Sequence, residues 1–216
     1  MSGDATAMAG KRLSRLWRRF RDARDGVAAV EFAMVLPFLV LAYVGMVDVV
    51  QLVMTNRKVT QLTSTLSDLT ARLPAVPVTE MTNIFNAAST VLLPYDARKA
   101  SMTVSSIVVD AKGVGRVCWV SSDPAGSSPL KRGDTVPLPD SAKVPKTSVI
   151  MASASYSFSP IVGQMTLPFL GEVGIGAVPI GGNPIFTRPR TGKPAGTDSI
   201  EQIQLGDLKG CPDFLN

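Results

Sequence analysis

The chain has 216 residues, 45% of them hydrophobic, and a formal net charge of +5, which is room for one domain plus an anchor. It contains no histidine, which excludes His-based general acid–base work, Ser-His-Asp and Cys-His nucleophilic catalysis, and His-containing zinc sites. Residues 1–26 hold seven Lys/Arg against three Asp, a surplus of +4, while residues 27–216 hold 15 basic and 14 acidic side chains, so the basic balance describes a leader and no nucleic-acid partner is expected.

The leader comes first in the chain. Leu13, Leu16, Trp17 and Phe20 are spaced for a basic amphipathic helix on a membrane surface. A disordered tail fits residues 1–25 equally well. The basic run itself predicts retention on the cytoplasmic side.

Val27 to Val47 follows, 21 residues with Glu31 as the only charge. That length spans roughly 30 Å of hydrocarbon as a helix and exceeds a secretory signal core. Pro37 lies inside it, and membrane helices tolerate proline with a local kink. Asp48 ends the uncharged stretch, and Gln51, Asn56, Arg57 and Lys58 mark emergence from lipid. An ionisable side chain within a span is costly, about 2.5–3.5 kcal/mol at the helix centre, so Glu31 is a functional candidate.

The segment Asp25-Gly26-Val27-Ala28-Ala29-Val30-Glu31-Phe32-Ala33 and the aliphatic run to Pro37 resemble the TadE/TadG family. These are pseudopilins of the tight-adherence (Flp) type IV pilus system. The close resemblance covers about residues 26–55. It implies cleavage by a prepilin peptidase between Gly26 and Val27, with Glu31 fifth in the mature chain. Glu31 and Phe32 would then set register in assembly. The resemblance further implies a bacterial inner-membrane protein, N-in/C-out, with a periplasmic C-terminal domain. Its partners would be other pilins or pseudopilins of the same pilus, the inner-membrane assembly platform and membrane lipid.

Beyond the span, Leu52, Val59, Leu62, Leu66, Leu69 and Leu73 keep helical spacing, until Pro74 and Pro77. One helix is expected from about 27 to 73, roughly 70 Å at 1.5 Å per residue. Its outer seam serves either packing on the chain's own globular part or packing on neighbouring helices in a fibre. Thr79 is expected to N-cap a second helix with Glu80 in its first turn. Met81, Ile84, Phe85, Ala88 and Leu92 mark its inner face, and Pro94 ends it.

The pattern then turns to strands. Residues 101–109 and 115–121 read as a hairpin about a turn at Asp110–Gly113. Residues 122–148 are proline- and glycine-rich and read as an irregular excursion. Ile150, Ala152, Ala154, Tyr156 and Phe158 alternate as a half-buried strand stopped by Pro160. Residues 163–184 are Gly/Pro-rich, 185–188 read as a last short edge strand before Pro189, and 189–199 as an exposed loop. The expected fold is α+β: a long helix laid on a small antiparallel sheet. The expected divisions are a leader (1–26), the helix (27–73) and a periplasmic domain (74–216).

Cys118 and Cys211 are an isolated even pair without a CxxC motif. In an exported chain they predict one disulfide, two buried thiols being the alternative. Ser128-Pro129-Leu130-Lys131 matches a Ser-x-x-Lys pattern, but Pro129 and Gly133 make it a loop. Gly174-Ile175-Gly176 lacks the third glycine of a dinucleotide fingerprint. No catalytic, cofactor-binding or metal-ligating set is expected. The expected function is that of a minor pilin or pseudopilin in a Flp/Tad pilus for surface adhesion, not an enzyme. The alternative is an uncleaved, membrane-anchored periplasmic binding domain.

Overall fold

The computed structural model describes residues 25–161, 166–167, 171–172, 176–195, 199–206 and 211. The leader expectation for residues 1–24 lies outside the described residues. The chain divides into two compact units, 1–47 and 48–216. Helix α1, Asp25–Ala71, contributes to both and contains Pro37. It stops two residues short of the expected Leu73, because Pro74 disfavours helical backbone at the residue before it.

The second unit is α+β. Strands β2 (Ala100–Val109), β3 (Gly115–Asp123) and β5 (Ser148–Phe158) form its centre. β2 pairs antiparallel with β3 on one side and with β5 on the other. In the β2–β3 turn, Asp110 Oδ1 accepts the backbone N–H groups of Lys112 (2.9 Å) and Val114 (2.8 Å). Being central, β2 is buried on both faces over Val104–Val109, so its sequence there shows no apolar–polar alternation.

Each face of the sheet carries its own core. On one, Val59, Leu62 and Leu66 of α1 and Met81, Ile84, Phe85 and Ala88 of helix α2 (Val78–Ser89) pack against Met102, Val104, Ile150 and Ala152. On the other, Ile107, Val109, Val117, Val149 and Met151 are covered by Val136, Leu138 and Ala142.

Several expectations change. α2 begins two residues earlier than expected, with Pro77 instead of Thr79 in the N-cap position and no side-chain cap. Proline has no N–H to satisfy and its φ suits a helix start, so Thr79 falls inside the first turn. The helix proper ends at Ser89, and a 3₁₀ turn over Thr90–Leu92 continues it to Leu93. The 122–148 excursion holds a two-residue strand, β4 (Thr135–Val136), paired with Gly115 and Arg116. It supplies the cover of the second core.

A strand unforeseen in the Gly/Pro-rich stretch, β8 (Val178–Gly181), pairs with residues 155–158 of β5. The hairpin β6 (Thr166–Leu167) and β7 (Gly171–Glu172) precedes it. β9 (Ile185–Thr187) pairs with residues 150–152 on the same edge of β5, so β8 and β9 act as one edge strand interrupted by a bend. β9 is not the last strand. β10 (Lys193–Ala195) pairs antiparallel with β11 (Ile200–Gln202), and β12 (Gln204–Leu205) pairs parallel with β1 (Ala75–Val76). Residues 189–199, expected as an exposed loop, are largely exposed over their described part but contain β10.

Candidate functional site

Gly26, Val27, Glu31 and Phe32 lie in the first two turns of α1. Val27 and Glu31 are four residues apart and share a face. Residues 26–40 are exposed throughout, so no described side chain of the chain itself shelters the Glu31 carboxylate. A Cβ added at Gly26 would meet nothing within 4 Å. Glycine in a helix costs up to about 1 kcal/mol relative to alanine, and nothing in the described chain requires it there. α1 is also the helix, among the described residues, that is long and apolar enough to cross a membrane. It suits a single-pass anchor.

The outer half of α1 is built to hold the globular unit. Its inner face is wider than the apolar spacing alone implied, because Thr55, Thr63, Ser67 and Thr70 are buried beside Val59, Leu62 and Leu66. The hydroxyls of Thr55, Thr63 and Thr70 donate to carbonyls four residues back, at 2.8, 2.9 and 2.8 Å, and that of Ser67 donates to Thr187 Oγ1 of β9 at 2.6 Å. Polar residues can line this face because their hydrogen bonds are met internally. Leu52, expected in the seam, is exposed instead.

Three polar clamps fix the element ends. Lys58 Nζ donates to the carbonyls of Val91 (3.2 Å) and Leu93 (2.7 Å), holding the end of α2 against α1. At the C-terminus of α1, the Arg190 N–H reaches the Ala71 carbonyl (2.9 Å) and the Thr191 hydroxyl the Arg72 carbonyl (2.6 Å). These bonds satisfy carbonyls a helix end leaves open. The Arg72 guanidinium bonded to Asp68, with Arg190 also beside it, holds that carboxyl below its usual range.

Cys118 and Cys211 form a disulfide with Cα atoms 5.5 Å apart. Gln202 Oε1 accepts the Cys211 N–H at 3.1 Å, and Trp119 Nε1 donates to the Ile203 carbonyl at 2.7 Å. The segment after β10 is thus strapped onto the helix side of the sheet. Gln202 Nε2 and the hydroxyls of Ser105 and Ser106 are buried without a partner among the described residues.

No group of three or more His, Cys, Asp or Glu suited to a metal is present among the described residues. Ser128 and Lys131 sit in a loop, where the Ser128 hydroxyl accepts the Leu130 N–H and the Lys131 N–H donates to Asp134. A cleft of about 330 Å³ is lined by Lys146, Thr147, Ser148, Arg188, Pro189, Ser199, Ile200 and Glu201. Of its two serines, Ser148 donates its hydroxyl to the Glu201 backbone carbonyl at 2.5 Å.

Residues that spacing did not single out are Asp48, which is buried and accepts the Ile161 N–H at 2.9 Å, and Gly181, where α1 and β5 close in. The signal for Asp48 is present in sequence as Asp48, Gln51 and Thr55 on one helical face. For Gly181 there is none, since the neighbours that need it small are Val59 and Ala154.

Neither a curated protein nor a solved structure matches the chain. A family model described as TadE-like protein matches residues 26–65, the stretch that holds the glycine–glutamate junction, the apolar span and the first two turns of the buried seam. Over that stretch, which is most of α1, the chain is similar to TadE-like proteins.

Proposed function

We propose that this protein is a minor pilin or pseudopilin, a structural part of a Flp/Tad-type pilus for surface adhesion. The reading makes it the substrate of a prepilin peptidase, cut between Gly26 and Val27. Residues 1–26 are then a cytoplasmic leader, 27–73 the membrane and assembly segment built on α1, and 74–216 a periplasmic domain. The mature chain is held N-in/C-out in the bacterial inner membrane until it joins other pilins at the assembly platform. The observation that carries this reading is the junction itself. A glycine that the fold does not need stands in the first turn of an exposed apolar helix, five residues before Glu31, inside the segment that matches the TadE-like family.

Cleavage is tested by intact mass on protein extracted from pilus-bearing native cells. The expected species starts at Val27 and has lost the +4 surplus of the leader. A Met1 start on that protein would instead leave an uncleaved anchored domain.

A further inference from the structure

Between Asp48 and Thr55, α1 is amphipathic in the reverse of the usual sense. Asp48, Gln51 and Thr55 follow spacings of three and four and share one face. That face is turned inward. Asp48 and Thr55 are buried and Gln51 is half-buried. Asp48 Oδ1 accepts the Ile161 N–H at 2.9 Å, and the Thr55 hydroxyl donates to the Gln51 carbonyl at 2.8 Å. The opposite face carries Val49, Val50, Val53 and Met54, which are 63, 45, 45 and 56% exposed. A helix against water does the opposite, hiding its apolar stripe and showing its polar one. One turn further on, α1 reverts to that usual sense. Val59, Leu62 and Leu66 face inward, while Asn56, Arg57, Thr60 and Gln61 are exposed.

We propose that the bilayer hydrocarbon reaches past Asp48 to Met54, that α1 leaves lipid between Met54 and Arg57, and that the Ile161 loop rests on the bilayer surface. This rests on the reading that α1 spans a membrane. The occupant is lipid because the exposed apolar surface continues along the same helix from residue 27. Asp48 does not end the span, because its carboxylate is turned into the protein and bonded to a backbone N–H. Ile161, beside it, keeps 44% of its surface exposed, an apolar contact at the level where the carboxylate is hidden. Counting about 20 residues back from Met54 for the hydrocarbon thickness brings the inner edge to about Val35. Glu31 then lies roughly one turn outside the hydrocarbon, among the inner headgroups, before assembly.

The test is spin-label depth in membranes. The two native cysteines are bridged, so one introduced cysteine gives one nitroxide position. Labels are placed singly at Phe38, Val50, Val53, Met54, Arg57, Thr60 and Ile161 of the full chain, in vesicles of phosphatidylethanolamine and phosphatidylglycerol. Collision with oxygen is compared with collision with a water-soluble nickel chelate. Oxygen is expected to dominate at Phe38, Val50, Val53 and Met54 and the chelate at Arg57 and Thr60, with Ile161 near the crossing. Chelate dominance at Val53 and Met54, with oxygen still dominant at Phe38, overturns the extended belt while the anchor stands. Chelate dominance at Phe38 as well removes the anchor reading. Low collision with both reagents at Val53 and Met54 means a protein neighbour, such as a second copy, covers the face and overturns the lipid occupant.

Discussion

Glu31 follows Val27 by one helical turn, and cleavage before Val27 would create an α-amino group that is largely protonated near neutral pH. A carboxylate four residues on can pair with that amine in its own chain or in a neighbour. Where neighbouring helices of an assembly enclose it, a lower local dielectric would strengthen such a pair, and loss of one member would leave the other charge unpaired. Glu31→Ala is therefore expected to insert and be cleaved normally, yet fail to co-purify with pilus components. Normal incorporation of this variant would reduce Glu31 to a residue that merely reaches the headgroups. Gly181 makes a different kind of residue-scale argument. Its φ is +88° and an added Cβ would lie 2.6 Å from both the Ala154 carbonyl oxygen and Val59 Cγ1. Its neighbour Gly182 has φ +84° but open space. Both substitutions to alanine carry the left-handed backbone, about 1–2 kcal/mol. Only Gly181→Ala adds a clash with backbone, about 1–3 kcal/mol more. Denaturant midpoints should fall clearly further for Gly181→Ala than for Gly182→Ala, and equal midpoints would refute the close approach.

At the scale of elements, α1 shows why a polar-looking helix face can be a core face. Threonine and serine at 55, 63, 67 and 70 are buried because their hydroxyls find carbonyls or Thr187 within the protein. The strap that carries Cys211 is the other element whose hold can be measured. Its disulfide closes a sequence separation of 93, worth about 4–5 kcal/mol in the chain-entropy account and often less in practice. The paired change Cys118→Ala and Cys211→Ala should lower the urea midpoint of the protein by a corresponding amount. Denatured, unreduced native protein should titrate no free thiol. Two thiols in that assay would contradict the bridge.

At the scale of the whole molecule, local signals with a strong period survived intact. The apolar run and the stripe at Val59, Leu62 and Leu66 were legible because a helix repeats its environment every 3.6 residues. The β2–β3 hairpin was legible through its turn and β-rich flanks, and the strand at 150–158 through its alternation. The glycine–glutamate junction was readable because it is contiguous in the chain and needs no folding to be seen. Strand β8 was not readable, since Val-Pro-Ile-Gly has no alternation of its own and becomes a strand through four pairings with β5. The bonds of Arg190 and Thr191 were hidden for the same reason: they serve carbonyls more than a hundred residues away.

The sequence by itself determined the long apolar helix and the order of helix before sheet, because each rests on composition and spacing within one continuous segment. Tertiary structure alone decided which polar side chains of α1 are core. It also decided how β8 and β9 share one edge of β5, and which way Asp48 points. Those outcomes depend on partners such as Thr187, Ala154 and Ile161, brought to α1 and β5 by folding, and no local pattern encodes the meeting of residues so far apart.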